Sequence, residues 1–366
     1  MPKFSPRVAN NFMLLSIVLG NMLVFVIYMG ARLARDMLGA DGAQVGGILF
    51  APGVSLAIGQ ICVTLLPFVA YLFVTRQRLT DVLPLRPIGP LNMLLIALIT
   101  ITLMPLATLF NIVTMLVLGI GNNVSEIVGE VTQSGFGLAF IIIVLMPSVF
   151  EEISLRGVVL SNYRRVDVHK AALVNGLFFG IFHLNPIQFL YAFLLGYVFA
   201  LMVIYTRSIY AAIFAHLVFN GIQVLLMRFA QQYIQHQIAQ GEVINMQDAA
   251  SPETLTAALV SYAVIAAIFT PVAVILLKSF RSINRRNYFK EEFETRPLEN
   301  DGTQNHGGLA VSTFGAGGFT SADFDTAHIK LPEAEPEHEQ EDQRIVTVSF
   351  GLLIAAYIVF VVIFML

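Results

Sequence analysis

Hydrophobic positions along this chain come in long blocks, not in the strict alternation of a strand or the narrow stripe of a surface helix. Crossing a bilayer as a helix takes about 20 apolar residues. Nine blocks are read as spans: Phe12–Ala31, Val45–Val74, Leu91–Leu118, Phe136–Leu160, Ala171–Asn185, Pro186–Tyr205, Ile209–Leu226, Leu255–Leu277 and Ile345–Leu366. Backbone groups in lipid must find their hydrogen bonds inside the segment, so each block is expected to be a helix. The fold expected is therefore all-α: a polytopic transmembrane helix bundle of about eight to nine membrane helices. The second block is overlong and carries Pro52-Gly53, so it is expected to begin as an interfacial or re-entrant piece. The third contains Pro105, which predicts a kink or tilt.

Polar segments between the blocks supply an orientation. With the N-terminus inside, the inner side collects Lys3, Arg7, Arg76, Arg78, Arg86, Arg164, Arg165, Lys170, Arg207 and a cluster from Lys278 to Lys290. The outer side collects only Arg32, Arg35 and Arg228. Lys and Arg favour the cytoplasmic side, so the N-terminus is expected in the cytoplasm and the C-terminus outside. Gly119–Gly135 is expected to be an outer loop holding Glu126 and Glu130. Arg228–Thr254 is polar and Gln-rich, with room for a short outer helix, and its His236 is read as a solvated residue. Glu291–Asp342 carries 13 acidic residues against Arg296 and Lys330, too few apolar groups to fold alone. The organisation expected is N-terminal membrane helices over 1–135, a catalytic membrane core over 136–277, a basic then acidic disordered cytosolic linker over 278–344, and a terminal anchor over 345–366.

Composition narrows the class. The 366 residues are 57% hydrophobic and 12% charged, with a net charge of −3. Nothing resembles the basic, aromatic-interleaved surface that nucleic acid requires, so no nucleic-acid partner is expected. Cys62 stands alone, which rules out an intrachain disulfide and a cysteine metal cluster. Lys3 and Arg7 precede a first block too long for a signal peptide, so it is read as an anchor that stays.

One block breaks the apolar pattern. Phe150-Glu151-Glu152-Ile153-Ser154-Leu155-Arg156-Gly157 places three charges where each costs roughly 2.5 kcal/mol or more. No other block holds an Asp, Glu, Lys or Arg, and the two histidines inside blocks, His183 and His216, follow downstream. Titratable groups gathered this way in a membrane point to chemistry or proton movement. Glu152 and Arg156 are four residues apart and share a helix face, so they are expected to pair. Glu151 points about 100° away and is left to face a cavity. Glu151, His183 and His216 lie roughly 10–20 Å from the inner helix ends at ~1.5 Å per residue, so they can meet among the four central helices.

Three motifs then stand in order on successive helices. They are Glu-Glu-x-x-x-Arg from Glu151 to Arg156, Phe-x-x-x-His from Phe179 to His183, and His-x-x-x-Asn from His216 to Asn220. This series, within about Phe136 to Ile222, resembles the CaaX protease and bacteriocin-processing family of intramembrane proteases, also called the Abi family. The resemblance implies that Glu151 with His183 activates a water for attack on a peptide carbonyl. His216 and Asn220 would form the oxyanion site. Glu152 and Arg156 would hold the architecture or bind part of the substrate, with Phe179 in the same structural or substrate-binding class. The partners implied are a membrane-embedded peptide or protein substrate, prenylated or carrying a leader, and the lipid bilayer. No cofactor is implied by this reading. The family has also been regarded as metalloproteases, and the alternative is zinc held by Glu151, His183 and His216. The family flavour points to a bacterial cell membrane.

Blander readings stand beside these. Glu152–Arg156 can be purely structural, His183 can satisfy carbonyls at the helix break before Asn185-Pro186, and His216 and Asn220 can bridge helices. Ser148 and Ser154 lack the surroundings of a serine nucleophile. Two other classes are open. One is a regulatory or immunity membrane protein whose acidic linker docks a cytosolic partner. The other is a proton-coupled carrier, disfavoured because no second copy of the motifs suggests a repeat.

Overall fold

In the computed structural model, the described residues are 4–38, 47–119, 123–241, 251–285 and 344–365. They form ten main helices: α1 (Pro6–Leu38), α2 (Pro52–Thr75), α3 (Pro90–Leu118), α4 (Asn123–Ser134), α5 (Phe136–Asn162), α6 (Val168–Phe182), α7 (Pro186–Thr206), α8 (Ile209–Ala239), α9 (Pro252–Ile283) and α10 (Val348–Met365). The molecule is an all-α polytopic bundle. Seven helices, α1, α2, α3, α5, α7, α8 and α9, are long and apolar enough to cross a membrane. The shorter apolar helices α6 and α10 account for the other two blocks read from the sequence.

Helix boundaries follow local chemistry. Pro stands at the start of α2, α3, α7 and α9, where its missing N–H costs nothing. The overlong second block resolves at Ala51, which is extended, so the long helix begins only at Pro52. The loop expected over Gly119–Gly135 contains α4, a 12-residue helix. The Gln-rich stretch after Leu226 is no separate helix, because α8 runs on unbroken to Ala239. The acidic linker at Glu291–Asp342, with its three histidines, lies outside the described residues.

Two helices are interrupted by π turns, which widen the ladder and re-aim the side chains beside them. In α2 the turn is Ile61–Leu65, and in α5 there are two, Phe140–Leu145 and Ile153–Val159. The turns at Ile61 and Ile153 face each other: Ser154 Oγ donates to the Thr64 carbonyl oxygen at 3.2 Å.

The centre is built around the α6–α7 hairpin. A Cβ on Gly176 would lie 2.6 Å from the Phe193 carbonyl oxygen, and one on Gly196 would lie 2.8 Å from the Gly176 Cα. Glycine at these positions lets the two backbones touch. Around the hairpin one hydrophobic core takes in Met13 of α1, Ile99 of α3, Leu155 of α5, Phe178 of α6, Phe199 of α7, Ala212 of α8 and Phe280 of α9. It also takes in Leu353 of α10, whose Phe350 and Tyr357 lie against Phe178 and Phe189.

Candidate active site

Helix α6 is 15 residues long. At ~1.5 Å per residue it spans about 22 Å, less than the roughly 30 Å of a hydrocarbon core. Asp167 caps its start, accepting from the backbone N–H groups of His169 at 3.0 Å and Lys170 at 3.1 Å. The chain then turns back at His183-Leu184-Asn185 into α7. Non-helical backbone between apolar helices must be satisfied locally or line a cavity, and both occur. His183 Nδ1 donates to the Phe179 carbonyl oxygen at 2.8 Å, and Asn185 Oδ1 accepts from Ile187 N at 2.9 Å. Leu184 takes a left-handed conformation, φ 43°, to reverse the chain. All three residues line a cavity of about 950 Å³.

That cavity gathers the sequence-predicted residues. Glu151 from α5, Phe179 from α6, His183 from the turn, and His216 and Asn220 from α8 all line it. Glu152 and Arg156 do not. They sit behind its wall with no exposed side chain, joined at 2.9 Å through Arg156 Nη1 and Glu152 Oε1. The guanidinium also donates to the Gly196 carbonyl oxygen at 3.3 Å and lies 4.6 Å over the Phe179 ring. Phe179 is thus a spacer. One edge meets His183 at 4.8 Å between centroids, and His216 stands 5.8 Å away.

Several contacts were not visible in the sequence. Glu152 Oε1 also accepts from His216 Nδ1, at 2.8 Å. The second carboxylate of the motif is therefore shared between Arg156 and a histidine of another helix. Glu151 accepts instead from Gln60 Nε2 of α2, at 2.7 Å. Asn220 Nδ2 donates to the Ile143 carbonyl oxygen at 3.1 Å. The bridging roles considered for His183, His216 and Asn220 are all present, but each occupies only one polar atom. Since a carbonyl or carboxylate oxygen accepts, Nδ1 carries the proton in both rings, and Nε2 is the nitrogen left for chemistry. The signal that could have found Gln60 is its position as an amide deep in an apolar block, ten residues from the break at Phe50-Ala51.

Among the described residues, no group of three or more His, Cys, Asp or Glu side chains is placed to hold a metal ion. Glu152, not Glu151, reaches His216, and Glu151 is turned to Gln60. As arranged, the three residues do not fit a three-ligand zinc site.

The polytopic helix bundle thus brings carboxylate, imidazole and amide groups to one internal cavity. Residues 133–222, about a quarter of the chain, match the family model described as type II CAAX prenyl endopeptidase Rce1-like. The match places this segment in the CaaX protease and bacteriocin-processing family, which its three motifs resemble. No curated protein and no solved structure matches the chain.

Proposed function

We propose that this chain is an intramembrane endopeptidase of the CAAX-processing type, hydrolysing a peptide bond of a membrane-associated substrate, prenylated or carrying a leader. The observation that carries the reading is the division of the two adjacent glutamates. Glu151 lines the cavity beside His183, whereas Glu152 is buried behind it between Arg156 and His216. Two carboxylates in unlike surroundings take unlike roles.

In this reading Glu151 takes a proton from a water in the cavity as that water attacks the scissile carbonyl. His183 presents Nε2 to the same water, its ring held by the Nδ1 bond to Phe179. The proton then passes to the leaving amine, since a base that has accepted a proton is the acid of the second step. Negative charge grows on the carbonyl oxygen, and His216 Nε2 with the free N–H of Asn220 are the donors for it. For His216 to donate from Nε2 while Nδ1 donates to Glu152, the ring must hold both protons. The Glu152 carboxylate at 2.8 Å is the counter-charge of that form. Donors fixed before the reaction, in a site with little water, lower the barrier by a few kcal/mol.

The test is cleavage of a peptide library, including farnesylated Cys-a-a-X peptides, by purified protein in detergent, read by mass spectrometry with and without a strong chelator. Cleavage that is lost in Glu151→Ala and indifferent to chelator supports the reading. Loss with chelator and recovery with zinc would transfer Glu151, His183 and His216 to the ligand role.

A further inference from the structure

Gln60 lies far outside the matched segment, yet its side chain meets Glu151. Its amide Nε2 donates to Glu151 Oε1 at 2.7 Å. A carboxylate accepts only, so the amide nitrogen must face Glu151 and the amide oxygen must face away. That oxygen is buried, with no hydrogen-bond partner among the described residues. Gln60 lines the 950 Å³ cavity together with Glu151 and His183, so its N–H holds the carboxylate at the cavity wall.

The placement of this side chain is built rather than incidental. Gln60 is the last residue before the π turn Ile61–Leu65, and Glu151 and Glu152 end the α-helical stretch before the π turn Ile153–Val159. The two turns are tied by Ser154 Oγ to the Thr64 carbonyl, and Thr64 Oγ1 bonds back to the Gln60 carbonyl. The wider π turns bring the amide and the carboxylate into line on two separate helices.

We infer that Gln60 is the positioning residue of the catalytic base: its amide N–H fixes the Glu151 carboxylate at the cavity wall, where it meets the attacking water. This rests on the endopeptidase reading above. The other titratable groups around this point are His183, His216, Tyr191 and Tyr262 in the cavity and Glu152 and Arg156 behind it.

Three variants test it, with a quenched-fluorescence farnesylated Cys-a-a-X peptide as probe. Gln60→Met keeps length and loses both polar atoms. It is expected to lower kcat about 10- to 100-fold, the scale of a displaced reacting group, with KM and the melting temperature unchanged. Gln60→Glu is expected to recover turnover only at acid pH, where its carboxyl is protonated and donates to Glu151, and to lose it where two carboxylates face each other. A purely structural glutamine would give no such pH-selective rescue. Glu151→Gln serves as the reference for the reading beneath. If Glu151→Gln is inactive while Gln60→Met turns over like the wild type, this inference falls and the endopeptidase reading stands. If Glu151→Gln is fully active, both fall. A readout independent of turnover is labelling of Glu151 by a hydrophobic carbodiimide, measured by mass spectrometry. Several-fold more labelling in Gln60→Met is expected, and equal labelling would overturn the inference even if no tested peptide is cleaved.

Discussion

Replacing Arg156 by Met isolates the buried ion pair from everything else in the core. Both side chains are fully shielded, and their charged atoms are 2.9 Å apart. At an effective dielectric of about 20 the attraction is roughly 6 kcal/mol, set against several kcal/mol of desolvation for each ion. Arg156 also donates to the Gly196 carbonyl and stacks over Phe179 and Phe199 at 4.6 and 5.5 Å. Met retains much of that packing, so the variant reports chiefly on Glu152, left among the described residues with His216 as its partner. Breaking one side of such a pair costs about 3–5 kcal/mol, whereas neutralising both sides is close to neutral. Equilibrium unfolding in mixed micelles should therefore find Arg156→Met about 3–5 kcal/mol less stable than wild type. The double variant Arg156→Met, Glu152→Gln should recover most of that. A single-variant cost below ~1 kcal/mol, the scale of an exposed pair, would refute the assignment of Glu152–Arg156 as a buried architectural pair. So would a double variant worse than the single one.

Other outcomes follow from the same contacts. Gly176→Ala should cost about 1–3 kcal/mol, because its Cβ would meet the Phe193 carbonyl at 2.6 Å. Gly30→Ala in α1, with nothing within 4 Å of the new atom, should change stability by no more than about 1 kcal/mol, both read by the same unfolding assay. The Asp167 carboxyl is held below the usual range, first by the Lys170 N–H it accepts from. A depressed folded value means its stabilisation is present above the ordinary value near 4 and is lost as the pH falls through the folded one. Amide protection in the first turn of α6, taken relative to the intrinsic exchange rate, should accordingly fall at acid pH in the wild type and lose that pH dependence in Asp167→Asn. Asn220→Ala should lower kcat about 10²- to 10³-fold with the helices intact, as loss of one oxyanion donor does. Unchanged kcat in a cleaving enzyme would remove Asn220 from the site.

The bundle was legible because hydropathy is a property of each segment by itself. Each of the nine apolar blocks overlaps one of nine apolar helices among the described residues, but the ends differ: α1 runs seven residues past its block and α8 thirteen past, to Ala239. The three motifs were legible because charges and histidines are conspicuous in apolar sequence. Pairing across helices was not. The helix-face argument joined Glu152 to Arg156 correctly but had no means of seeing His216 approach the same oxygen from α8. Gln60 escaped for a different reason: an amide carries no charge and does not titrate, so it does not stand out as the glutamates and histidines do. The π turns beside Gln60 and Glu152 escaped too, since a ladder shifted by one residue follows from packing between helices and leaves no periodicity to read.

The most direct test of the account sets Glu151→Gln beside Glu152→Gln, measuring turnover and melting temperature for each in the same detergent. Glu151→Gln is predicted to abolish turnover while melting like the wild type, because it removes a base from a cavity wall and keeps its shape. Glu152→Gln is predicted to melt lower, because it strips the counter-charge from Arg156 and His216. The reverse pattern, with Glu151→Gln active and Glu152→Gln inactive but fully stable, would contradict the division of roles on which the whole reading depends.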